Sequence, residues 1–304
     1  ALGVDPNEGL FKAGLRHLDE AQDALRSGQA ARASTALAQA EGSLREAVRI
    51  SPRVATVGST PEEIESALQL CREETGNNPD CVAAQFADER SRRVLLPPFR
   101  LDQMPASNAE FAEFAKQTGY VTAAEKSHGL YDAKEQATLL PNSSWRTLTE
   151  KELPADGDPA DYPVRGIDYA AARTYCTWRG KRLPTEDEWE FVARGPGRQI
   201  FPWGNNPADA PDPRTRRLLP AASAAPTGAF GNRGMGGEVW EWADGSDGKP
   251  ILRGASYLVN LPLFQRLATR ARENPGHARV DTGLRCAKSL EAWPETASGA
   301  GAAK

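Results

Sequence analysis

The chain contains no long apolar run. Nothing in its 304 residues approaches the roughly 18 to 20 consecutive apolar residues that a helix needs to cross a bilayer, so a transmembrane helix is not expected. Positive charge is also short: 37 Lys and Arg against 41 Asp and Glu leave a formal net charge of −4. Binding a phosphate backbone requires a basic surface that neutralises several phosphates, and no basic stripe is present, which argues against nucleic acid as a partner. The three histidines, His17, His128 and His277, have no ligand spacing, so each reads as a surface or loop residue and not as part of a metal centre. Thiols are few as well. Cys71, Cys81, Cys176 and Cys286 form no C-x-x-C pair, a pattern that argues against zinc and for disulfides made in an oxidising compartment.

Cys71 and Cys81 flank CREETGNNPDC, where Gly76, Asn77, Asn78 and Pro79 supply turn chemistry that brings the two ends together. A disulfide is expected there, the alternative being two buried thiols. The sequence starts at Ala1 without a basic or apolar leader, which fits a mature exported chain whose signal has been removed. A periplasmic location is the expectation.

Residues 1–55 are rich in Ala, Leu, Glu, Gln and Arg, a helix-favouring set. Asp5, Pro6 and Glu8 mark a helix start, and Phe11, Leu15, Leu18, Ala21 and Leu25 recur at steps of three and four. A second helix with Leu37, Ala40, Leu44 and Val48 on one face is expected to stop at Ser51-Pro52. The pair reads as a helical hairpin of tetratricopeptide type, which needs a further surface to cover its apolar face. Residues 56–90 read as a linker, with a helix opened by Thr60-Pro61-Glu62-Glu63 and ending at Leu70, followed by the cysteine loop.

From residue 91 the character changes to glycine, proline, tryptophan and short segments. VLLPPFRLD reads as strand interrupted by Pro97-Pro98. Ser107 with Glu110 caps a helix to about Gln117, Asp168 starts one through Trp178, and Thr185 with Glu188 caps one through Arg194. Trp145, Trp178, Trp189, Trp203, Trp240 and Trp242 each offer a large surface to bury, enough to hold irregular backbone around a core. Residues 291–304, ending in ETASGAGAAK, have the composition of a disordered tail.

Three segments carry a resemblance when read in order: NAEFAEFAKQTGYVTAAEKS; then PVRGIDYAAARTYCTWRGKRLPTEDEWEFVARG with FPWGN; then GGEVWEW followed by LRGASY and TGLRCA. Together they resemble the formylglycine-generating-enzyme domain, also called the sulfatase-modifying-factor family, over residues 91–290. The resemblance implies an α+β, C-type-lectin-like fold with little regular structure. It also implies a disulfide between Cys176 and Cys286. Enzymes of the family use copper held by two thiolates, and a soft Cu(I) ion requires such ligands. Laid through Gly254, Ser256 and Tyr257, the two thiolate positions are Val259 and Phe264, so no copper is expected and no catalytic residue is assigned. The histidine ligands of the ergothioneine-forming relatives are also missing.

The family's calcium site maps onto Gly237, Val239 and Glu241, but its side-chain ligand position falls on Gly234. Calcium wants six to eight oxygens, so a site would have to be rebuilt with Asp244 or Asp247, the alternative being Glu241 in a buried salt bridge. No second calcium site is visible in the insert after PWGN. Arg266, Arg270 and Arg272 read as braces for irregular loops rather than as an anion groove. Glu186, Asp187, Glu188, Glu190 and Glu241 sit in structural motifs.

With the thiolates gone, the resemblance points to an exported, non-catalytic regulator that binds a protein. The expected partner is the periplasmic part of a transmembrane Ser/Thr kinase that controls type VI secretion. Leu261, Pro262, Leu263 and Phe264 are its candidate contact surface, since exposed apolar patches mark interaction sites. Two alternatives stay open: different chemistry in the same cleft, as in periplasmic maturation of the pyoverdine chromophore, and ligand recognition in the lectin manner.

Overall fold

The computed structural model describes residues 26–27, 48–133, 138–151, 157–212, 217–225, 227–259 and 261–290. The helical pattern over residues 1–47, apart from 26–27, and the tail from 291 lie outside them.

The described chain opens as strand. β1 (Val48–Ile50) and β2 (Arg53–Val57) run antiparallel to β4 (Phe99–Leu101) and β3 (Arg92–Leu96). Val48 pairs with Leu101, Ile50 with Phe99, Arg53 with Leu96 and Val57 with Arg92. This is one continuous register, and it sets Pro52 opposite Pro97. Proline has no N–H for a ladder, so the ribbon breaks into two short sheets at that point. The second N-terminal helix therefore does not reach Val48. β-branched Val48 and Ile50 favour strand, and pairing with β4 buries Ile50 beside Phe99, Leu101 and Trp189, a gain that an isolated helix end cannot match. On its other side β4 pairs with β10 (Ala287–Ser289), so residues from both ends of the domain flank it.

α1 (Pro61–Glu74) starts with the expected capping box of Thr60 and Glu63 and runs one turn beyond Leu70. Its inner face, Ala67, Leu68 and Cys71, packs with Cys81, Phe86 and Leu263. Cys71 and Cys81 are joined, as are Cys176 and Cys286.

The main core forms where α2 (Asn108–Thr118) meets α5 (Tyr169–Trp178). Between them in sequence lie two short helices that the sequence reading missed, α3 (Ala123–Ser127) and α4 (Trp145–Lys151), and the hairpin of β5 (Gly129–Tyr131) with β6 (Leu139–Pro141). Phe111 contacts Phe114, Trp145 and Tyr175 with ring centres 5.2 to 5.7 Å apart, and the Cys176–Cys286 bond lies in the same cluster. α6 (Glu186–Arg194) carries the Thr185/Glu188 capping box and buries Trp189. β7 (Trp240–Asp244) lies between antiparallel β8 (Pro250–Arg253) and parallel β9 (Thr282–Gly283). α7 (Pro262–Gln265) completes the elements. The fold is α+β without a barrel, and much of the described chain is irregular. No described helix is long and apolar enough to cross a membrane.

Candidate functional site

β7 places the WEW side chains. Trp242 is fully buried and donates its indole N–H to the Ile167 carbonyl at 2.8 Å. Glu241, equally buried, accepts from Arg285 Nε at 2.6 Å, Arg285 Nη2 at 2.8 Å and Trp189 Nε1 at 2.7 Å. A buried carboxylate survives only when paired and hydrogen-bonded, and Arg285 meets both needs. The salt-bridge alternative for Glu241 is what the structure shows.

The acidic run that opens α6 is paired in the same way. Asp187 meets Arg92 at 2.5 and 2.9 Å, and Glu188 meets Arg182 at 2.6 and 2.7 Å. Glu190 accepts from Arg253 at 2.8 Å and from the Gly58 N–H at 2.6 Å. Glu186 accepts from Arg270 at 2.6 Å and the Ser246 N–H at 2.6 Å. Burial alone would raise the Glu186 carboxyl, but those hydrogen bonds outweigh it and bring it down to about 2. Arg266 grips Glu89 at 2.8 and 3.2 Å, and Arg272 meets Asp247 at 2.9 Å. The three arginines after the loop are braces: they tie it to the 83–89 turn, to α6 and to the 245–248 turn.

The loop from 254 to 266 contains Val259 and Phe264, the two positions to which the resemblance assigns the copper thiolates. Gly254 is required where it stands: at φ +94°, a Cβ would come within 2.8 Å of the Trp189 ring. Ser256, fully buried, donates to Asp281 at 2.7 Å. Val259 is half-buried on the main core, which also holds Trp240. Gln265 is buried and donates to the Val259 carbonyl at 2.5 Å, closing the loop on itself.

The four candidate contact residues separate. Leu263 is 5% exposed, packed on the Cys71–Cys81 bond and Phe86, and so is not available as a contact surface. Leu261 and Pro262 are half-buried, and Phe264 is 44% exposed. A helical turn of Pro262–Gln265 sends neighbouring side chains in different directions, which is why the apolar run divides. Val259 and Phe264 therefore occupy different environments, one against the core and one in solvent.

The candidate calcium residues have the following surroundings. Glu241 faces Arg285, Val239 packs with Tyr162 and Leu218, and the Gly237 N–H donates to the Gly254 carbonyl at 2.8 Å. Asp244 accepts from the Tyr169 hydroxyl at 2.6 Å, and Asp247 pairs with Arg272. Among the described residues no group of three or more His, Cys, Asp or Glu is arranged to hold a metal. Of the candidate calcium residues, Glu241 is the one with a charged side chain, and that carboxylate is taken up by Arg285 and Trp189.

Glu238 was missed. Its carbon chain leans on Gly234, the glycine at the lost ligand position, and its carboxylate accepts one hydrogen bond, from the Leu219 N–H at 3.2 Å. At 9% exposure, burial pushes this acid up to about 7, which the Leu219 bond only partly offsets. Its position one residue before VWEW gives no sequence signal, because its burial depends on how the chain folds around it. Trp240 Nε1 was missed for a similar reason: it is buried without a hydrogen-bond partner among the described residues.

Comparison with known proteins decides the family. The model of the sulfatase-modifying factor enzyme 1-like domain matches residues 73–290. The chain belongs to this family. An inactive C-alpha-formylglycine-generating enzyme 2 from Mus musculus is 30% identical over 240 residues, covering 66% of this chain and 78% of the relative. A formylglycine-generating enzyme from Thermomonospora curvata is 30% identical over 273 residues, covering 70% and 88%. The sulfatase-modifying-factor family thus places this chain beside both inactive and active relatives. Among solved structures, PvdO from Pseudomonas aeruginosa superposes with a TM-score of 0.51 at 20% identity, covering 80% of this chain and 94% of that one; at that identity the likeness is one of fold.

Proposed function

We propose that this chain is a non-catalytic, protein-binding member of the formylglycine-generating-enzyme family that acts outside the cytoplasm. One observation carries the reading: Val259 and Phe264 stand where the thiolates would be, and neither can ligate copper. Relatives named inactive support it, and so do the arginine partners of the α6 carboxylates and Glu241, which make those acids struts of the frame. Both thiol pairs of the described chain are disulfides, the bonding of an oxidising compartment such as the periplasm. The partner we propose is the periplasmic part of a transmembrane Ser/Thr kinase controlling type VI secretion, the role of exported regulators such as TagR. Contact would be made through Leu261, Pro262 and Phe264.

Two measurements test this. Purified protein given Cu(I) and a cysteine-containing sulfatase peptide should form no aldehyde, and formylglycine in the product would overturn the reading. Immobilised kinase ectodomain should bind the protein, and Phe264→Asp should weaken binding at least tenfold; no binding, or an unchanged affinity, would remove that partner or that surface.

A second reading, different chemistry in the same cleft, draws on Glu238. A buried acid raised to about 7 is the kind of group that serves as a proton donor near neutral pH. If pyoverdine chromophore maturation depended on this chain and failed in Glu238→Gln, the enzyme reading would replace the first.

A further inference from the structure

The two most exposed large apolar side chains among the described residues, Val54 at 56% and Leu95 at 73%, stand directly opposite each other on β2 and β3. Single exposed apolar residues are ordinary, but a cross-strand pair makes one continuous patch. Residues two apart on a strand share a face, so Val54, Thr56, Arg93 and Leu95 form the outer face of this ribbon, with Thr56 paired to Arg93. The inner face is occupied. Ala55, Val94 and Leu96 join the cluster around Trp189, Arg92 meets Asp187 of α6, and the Arg53 guanidinium lies 5.3 Å from the Phe191 ring centre. Arg93, in contrast, is exposed and has no partner among the described residues.

Charge and backbone together say what fits this face. The strands β1, β2, β3, β4 and β10 hold Arg49, Arg53, Arg92, Arg93, Arg100 and Lys288 but no Asp or Glu, in a chain whose net charge is −4. Beyond the prolines the register sets Arg49, Arg100 and Lys288 side by side, while Ile50, Phe99, Leu101 and Ala287 point into the Trp189 cluster. The outer side of both sheets is therefore basic and apolar. β10 flanks the line of β4 and β3, with the Leu290 N–H donating to the Pro98 carbonyl at 2.9 Å. β2 pairs only with β3, and no described residue bonds to the backbone along its other edge. An unpaired edge is a template for an added strand. Such a strand would lie about 4.8 Å from β2 and about 10 Å from β3. An aliphatic side chain beside Val54 then extends the patch, and an acid two residues along, beside Thr56, faces Arg93 across a short side chain.

We propose that β2 accepts, along its open edge, an extended segment of a partner protein in which an aliphatic and an acidic residue stand two apart, the first on Val54 and Leu95 and the second on Arg93. This surface is separate from α7, so its failure would leave the Phe264 contact standing, and the reverse.

Fluorescence anisotropy with the full-length, disulfide-intact protein tests it, using a labelled peptide in which valine and glutamate alternate on one face and threonine fills the other. The lysine counterpart of that peptide should bind at least about tenfold more weakly, and Arg93→Glu should reverse the preference. The double change Val54→Thr, Leu95→Thr keeps strand-favouring side chains and should weaken the glutamate peptide about tenfold at unchanged circular dichroism. N-methylation of alternate residues along one edge of the peptide should abolish binding, because ladder bonds are then lost. Equal binding of the two peptides, affinities that neither variant changes, or binding that survives N-methylation on either edge would overturn the proposal. So would association with phosphatidylglycerol vesicles without peptide binding, which would assign the face to a lipid surface. A dimer lost in the double variant, again without peptide binding, would assign it to a second copy and overturn the proposal equally.

Discussion

Replacing Glu238 with glutamine is expected to stabilise the protein at pH 8 and to leave it unchanged near pH 4. The carboxyl is 9% exposed and receives a single hydrogen bond, from Leu219. An ordinary glutamate loses its proton near 4.5, whereas burial pushes Glu238 up to about 7. Below the lower value both folded and unfolded chains carry the proton, and no penalty exists. Between the two values the unfolded chain releases its proton while the folded one retains it, so stability falls as pH rises. Above the higher value the loss is complete. At about 1.4 kcal/mol per pH unit, the interval corresponds to a loss on the order of 3 kcal/mol. Glutamine keeps an oxygen for the Leu219 N–H and nearly the same shape, and it has no charge to desolvate. Urea denaturation of both proteins with disulfides intact, at pH 4, 5, 6, 7 and 8, would give the difference directly, and titrations common to both proteins cancel. The variant's advantage should grow from near zero to about 3 kcal/mol. A difference that stays constant across that range would refute the reasoning, because Glu238 would then be ionising at its ordinary value.

Other consequences can be measured with the same assay. Glu241→Ala should cost about 3 to 5 kcal/mol by stranding buried Arg285, and Glu241→Leu combined with Arg285→Leu should cost less than the single change; a single-variant loss under about 1 kcal/mol would contradict the pair's role. Glu186, brought down to about 2, contributes stability above pH 4.5 that is lost as pH falls towards 2, so Glu186→Gln should flatten that acid limb. Opening the Cys176–Cys286 bond, with a sequence separation of 110, by the Cys176→Ser, Cys286→Ser double change should cost about 4 to 5 kcal/mol. Phe264→Asp should stay within about 0.5 kcal/mol of the wild type, whereas Leu263→Asp should lose at least about 2 kcal/mol; equal losses would mean that α7 does not separate the two side chains.

What the sequence disclosed depended on how local the signal was. The Thr60, Ser107 and Thr185 caps are each written within four residues, and all three helices begin there. Asp168 likewise caps α5 as read. The interruption at Pro97-Pro98 was visible because proline removes a donor wherever it stands. Val48 to Ile50 went the other way. Their helical periodicity was real in isolation, but the strand they form is dictated by Phe99 to Leu101, far along the chain. The site divides along the same line. The expectation that the thiolates are replaced rests on Val259 and Phe264 individually, through the resemblance. That Glu241 would face Arg285, that Leu263 would turn inward onto a disulfide, and that Glu238 would be buried beside Gly234 all depend on residues distant in sequence. Motif spacing carries no information about such neighbours.

The position of β4 bears on how the chain reaches its final form. It lies between β1, made shortly before it, and β10, among the last residues of the domain to be made. Loop-closure entropy must be overcome before such distant contacts form, so this sheet cannot be completed before β10 has emerged, and Cys176 has no Cys286 to join until nearly the same moment. The β1-β4-β10 sheet therefore stays unfinished until its C-terminal strand is available. Closing it brings Cys286 to Cys176, and the disulfide then ties the last strand of the domain to α5.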